Sequence, residues 1–135
     1  MEKKIIVSTL AGTVALFLVG GLIFGLALAG QMEAFNKALG DCAVAGQPML
    51  QIVLANLVMA LLLSILLNKM GISTFKTGAT TAAWIAFLLI VWFDIWMFAM
   101  LKAMNFTMML MDVVGNTLTI AIGGGVIGWA LGKVK

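Results

Sequence analysis

Four polar side chains interrupt the most apolar stretches of the sequence: Asn56, Asp94, Asp112 and Asn116. A carboxyl group inside such a stretch is costly to bury and marks an ion or proton route, or a polar contact between helices. Amides there either bridge neighbouring helices or border a route for a polar solute. The chain has no histidine and a single cysteine, Cys42. Without them the usual Ser/His and Cys/His nucleophile pairs and zinc sites cannot be built, so neither an enzyme nor a catalytic residue is expected. Gly123-Gly124-Gly125 lies in an apolar run and lacks the flanking residues of a phosphate loop or dinucleotide fingerprint. No cofactor is implied.

Methionine is the other unusual feature. Of 11 in the chain, six crowd into 97–111: Met97, Met100, Met104, Met108, Met109 and Met111. Thioethers are soft ligands suited to Cu(I). The Met100-xxx-Met104 spacing, ahead of a glycine-spaced run, is similar to the filter region of eukaryotic high-affinity copper transporters. Those proteins also carry metal-binding side chains in an outward N-terminal tail, whereas here the N-terminus is expected on the cytoplasmic side. Methionine more often serves as flexible packing material.

The elements that hold these residues follow from composition. Of 135 residues, 64% are hydrophobic and 10% charged, and mean hydropathy is +1.20. A soluble domain of this size has too little interior to hide that much apolar surface. The net charge of +3 rests on 8 lysines against 5 acids. In so apolar a chain this imbalance bears on membrane orientation and gives no reason to expect a nucleic-acid partner. Uncharged runs cover 5–30, 42–68 and 113–132, and 77–101 is broken only by Asp94. About 20 apolar residues cross a bilayer core as a helix. The chain therefore predicts an all-α polytopic membrane protein. It is one domain, a four-helix bundle with spans near 5–30, 48–68, 78–102 and 107–131 and the lipid bilayer as its partner. A short interfacial helix is expected around 32–39, between the first two spans.

Lys3, Lys4, Lys69, Lys76, Lys133 and Lys135 fall on one side of this arrangement, Lys37 and Lys102 on the other. The positive-inside rule then puts both termini in the cytoplasm and Cys42 outside. Lys3-Lys4 and Ala27-Leu28-Ala29 have the look of a signal peptide, but the intervening apolar run is longer than usual, which favours a retained helix. Cys42 is either an unremarkable small residue or a thiol open to intermolecular pairing.

At about 1.5 Å per residue, Asn56, Asp94 and Asn116 lie about 12–13 Å below the outer ends of their spans, with Asp112 nearer the surface. Asp112, Asn116 and Thr119 share one face of the fourth span, and Asn56, Ala60, Ser64 and Asn68 share one of the second. Both faces are expected to meet Asp94 in the interior. The bland reading makes Asp112 a charge suited to a helix N-terminus and the asparagines interhelical glue. Gly21 and Gly25 are expected to let helices approach closely. Gly124, Gly128 and Gly132 form a GxxxGxxxG face expected to point away from the centre, either onto a second copy of the chain or onto a neighbouring helix.

The chain resembles a family of small four-helix bacterial membrane proteins of unknown function. The resemblance rests on Phe17-Leu18-Val19-Gly20, the 71–78 turn GISTFKTG, Phe93-Asp94 and the closing 122–129 run IGGGVIGW. It implies the bacterial inner membrane and no known activity. Two function classes fit: a channel or carrier for an ion, proton or small solute using the Asp/Asn cluster, or a non-transporting accessory, assembly or lipid-interacting subunit in a homodimer or with another membrane protein.

Overall fold

The computed structural model describes residues 2–135. They form five α-helices: α1 (Glu2–Leu22), α2 (Ala29–Leu39), α3 (Met49–Lys69), α4 (Phe75–Met100) and α5 (Phe106–Lys133). A π-turn, Ile23–Ala27, prolongs α1, and a 3-10 turn, Gly40–Cys42, follows α2. No strand occurs among the described residues. α1 with its π-turn, α3, α4 and α5 are each long and apolar enough to cross a membrane. The protein is an all-α, membrane-embedded four-helix bundle.

Local chemistry sets the helix boundaries. Asn105 caps α5, its Oδ1 accepting from the Met108 N–H at 2.8 Å. Thr74 caps α4 by accepting from the Thr77 N–H at 3.3 Å, so this span begins three residues before the expected 78. Pro48 stands just outside α3, at its N-cap position and not in its first turn. α3 ends at Gly71, whose φ of +70° suits a residue without Cβ. The Ile72 N–H then reaches the Leu67 carbonyl at 2.9 Å and the Gly71 N–H that of Asn68 at 3.1 Å, a Schellman closure. The first span breaks at Leu28, and α2 starts at once at Ala29, earlier than the expected 32. On α2, Lys37 pairs with Glu33 at 2.9 Å and holds that carboxyl below its ordinary range.

α5 is the centre of the bundle. The most apolar stretch of α5 is 44% buried, against 22% for α3 and 11% for α1 and α4. It packs along α4 over most of their length and also meets α1 and α3, while α3 and α4 scarcely touch. Leu16, Ala60, Leu63, Leu67, Ala82, Ala86, Ile120, Ile127 and Leu131 form a core in the half of the bundle nearer the α3–α4 turn. Lys69 and Lys76 flank that turn. Lys3, Lys4 and Lys133 share its end of the bundle, since α1 starts there and α5 finishes there.

The glycine face of α5 points into the bundle and takes the neighbouring helix of its two expected partners. It is covered by α4 and the turn before it. A Cβ on Gly124 would strike Ala82, one on Gly132 the Ser73 carbonyl, and one on Gly128 would lie 2.5 Å from the Thr74 oxygen. Gly78, Ala82 and Ala86 of α4 are the small residues that answer it. The physical reason is mutual: two small-residue stripes let backbones meet, and within one chain they need no second copy. Gly21 and Gly25 differ from expectation in the opposite sense, because a Cβ on either would meet nothing within 4 Å. The close-approach glycine of α1 is Gly12, set against Ile127 and Ala60.

Candidate functional site

A cleft of about 590 Å³ opens between α1, α3, α5 and the segment joining α2 to α3. Gly21 and Gly25 line it, which explains why they face open space. Its polar side chains are Asn36, Gln47, Asn56, Asn116 and Thr119. None is ionisable, so the cleft offers neutral donors and acceptors. Leu16 and Thr119 lie at its inner limit, where the packed core begins.

Asn56 and Asn116 therefore share one space, as their depths suggested, but they do not bridge to each other. The Asn56 amide donates to the Ile52 carbonyl of its own helix at 2.9 Å. The Asn116 amide donates to Asp112 Oδ2 at 2.9 Å, one turn away on α5. Thr119 donates to the Gly115 carbonyl at 2.8 Å. Each side chain is thus held by its own helix while still bordering the cleft.

Asp94 does not join the asparagines. It is 1% exposed and is absent from the cleft wall. Asp112 is its acidic neighbour across the α4–α5 contact. The reason is the hairpin: each acid stands seven residues from its end of the 101–105 turn, so both come to one level. An ionised carboxylate only accepts, so a hydrogen bond between the two needs one proton. Asp94 Oδ2 is buried and has no hydrogen-bond partner among the described residues. The result is a chain of contacts from the cleft through Asn116 to Asp112 and on to Asp94.

The local spacing could have found this pair, since 94 and 112 are symmetric about the 101–105 turn. Below the cleft lie two hydroxyls that no sequence pattern singles out as a pair. Thr9 and Ser64 are buried, and neither hydroxyl finds a partner among the described residues. Gly12 packs on Ala60, so Thr9, one turn before Gly12, and Ser64, one turn after Ala60, sit at neighbouring levels of antiparallel helices.

Met100 and Met104 are not a matched pair. Met100 is 72% exposed, whereas Met104 faces a smaller cavity beside Asp112. No group of three His, Cys, Asp or Glu side chains comes together among the described residues. In comparisons with known proteins, no family model matches the chain, and neither a curated protein nor a solved structure matches it.

Proposed function

We propose that the protein is a small carrier that takes a small, uncharged hydrogen-bonding solute into the amide-lined cleft. The observation that carries this reading is the cleft itself: about 590 Å³ of space bordered by Asn56 of α3 and Asn116 of α5, next to a packed core. The cleft is open to its surroundings, and the five polar side chains in its wall suit a hydrogen-bonding occupant better than a lipid chain. The Asp112–Asp94 pair next to Asn116 brings two carboxyls to one level, and a proton shared between them would tie solute movement to proton movement. Thr9 and Ser64 continue the polar trace into the closed half. They are the groups that would border the solute once that half opened.

The cysteine variants Asn56→Cys and Asn116→Cys, in a chain whose Cys42 is replaced by serine, test the cleft. A small water-soluble maleimide should label both rapidly in detergent and in proteoliposomes, while a Leu63→Cys control stays unlabelled. Equal protection at all three positions would mean the cleft is shut to water, and the carrier reading would fail.

The setting we propose is the bacterial inner membrane, with both termini in the cytoplasm and the cleft facing outward, in keeping with the lysine distribution and the family resemblance. Cys42 is free and exposed, just after α2. An impermeant thiol reagent should label it on intact cells. Labelling that requires a permeabilised membrane would reverse this orientation.

One observation favours the accessory reading. α4 leans on α5 and hardly on α3, leaving Trp84, Trp92 and Trp96 more than half exposed. A second copy or another membrane protein could rest there. Crosslinking through a cysteine placed at Trp92 would capture it, and lipid alone would give monomer.

A further inference from the structure

Four methionines converge on a second cavity. It measures about 80 Å³ and lies between α2, the 101–105 turn and the start of α5. Met32, Met104, Met108 and Met111 line it together with Asp112. Met108 and Met111, three residues apart at the start of α5, share one face of that helix; Met104 joins them from the 101–105 turn, and Met32 comes across from α2.

We infer that this cavity is a site for a soft monovalent cation, Cu(I) or its redox-inert analogue Ag(I). Three features carry the inference. Thioethers are neutral soft donors that suit such ions and serve Mg²⁺, Ca²⁺ or Mn²⁺ poorly. Asp112 provides the one negative charge that neutral sulfur ligands leave uncompensated, and no lysine lines the cavity. The methionines border an open pocket of about 80 Å³, several times the roughly 10–15 Å³ that admits a single water, so an ion can reach the sulfurs without unfolding the bundle. The site goes beyond the solute cleft. The two share Phe24 and Met32 in their walls, but their ligands differ.

The test uses the purified full chain, with Cu(I) in competition against a chromophoric chelator and Ag(I) by calorimetry. One equivalent of metal per chain is expected, with X-ray absorption dominated by sulfur. The double variant M108L/M111L should weaken binding at least tenfold, because leucine preserves volume and removes sulfur. Met100→Leu, at the exposed methionine, should leave it unchanged. Asp112→Asn should weaken it less than the double variant. If M108L/M111L unfolds early, Met104→Leu, in the turn and outside any helix, carries the same comparison. No competition by the unmodified chain would overturn the proposal. So would binding that survives loss of the cavity methionines, or that falls equally with Met100→Leu, because either means scattered surface thioethers. Maleimide access to the cleft does not enter these readouts, so the two proposals stand or fall separately.

Discussion

Replacing Gly128 with leucine is expected to prise α4 away from α5 and to cost more than about 3 kcal/mol, beyond the ordinary range for overpacking. The reason is what the new side chain would meet. Its Cβ would lie 2.5 Å from the Thr74 carbonyl oxygen and 3.0 Å from Gly78 Cα. Both are backbone atoms, and Thr74 is also the cap of α4, so neither can turn aside as a side-chain tip can. Relief requires the start of α4 to lift, and with it the Gly78 and Ala82 contacts on Gly124. The control is Gly21→Leu. A Cβ there meets nothing within 4 Å, and the change should stay within about 1 kcal/mol, the span of helix propensities. Thermal unfolding in one mild detergent compares the two. Similar melting for both variants would mean that the α4–α5 glycine contact contributes little. Self-association is a poor readout here, because this face is already occupied within the chain.

Asp94 should divide stability from transport. Asp94→Asn keeps the size and lets an amide donate to Asp112, so the α4–α5 contact should hold. Asp94→Leu removes the partner, leaves Asp112 only its bond from Asn116, and should destabilise by about 1–3 kcal/mol. If the pair carries a proton in the transport cycle, Asp94→Asn should abolish solute-coupled proton movement in proteoliposomes while the protein still melts normally. An Asn variant with unchanged coupling would leave Asp94 a structural contact and favour the accessory reading. The asparagines are not the partners to watch in this experiment, because Asp94 contacts Asp112 and stands away from Asn56.

How much of this was visible in the chain depends on the kind of signal. The four spans follow from runs between charges, because burying a lysine in lipid costs more than any local preference. Their ends moved by a few residues where a cap decided them, at Thr74 and Asn105. Sharing of one space by Asn56 and Asn116 could be read from depth along two helices. Which face a glycine shows could not. GxxxG specifies a surface fit for close approach, but not whose backbone fills it. The answer lay in Gly78, Ala82 and Ala86, a matching small-residue stripe on α4. Gly21 and Gly25 look the same in sequence as packing glycines, yet they border open space, because α3 diverges from α1 above Gly12. The acid pair was legible in the spacing of 94 and 112 about the turn, but depth along each span concealed it. Depth along separate spans treats each helix alone, whereas the compact 101–105 turn brings both acids to one level.

The central place of α5 has a consequence for biogenesis. Membrane helices are inserted in the order in which they are made, and α5 follows the other three. Until it arrives, α4 lacks nearly all of its partners, and α1 and α3 have only each other. The nascent protein must therefore wait in the bilayer as a loose pair plus a solitary helix, with Asp94 exposed to lipid or to the insertion machinery. A ribosome stalled before residue 106 would leave a substrate for membrane proteases, and completion of the last span would be the event that rescues the other three.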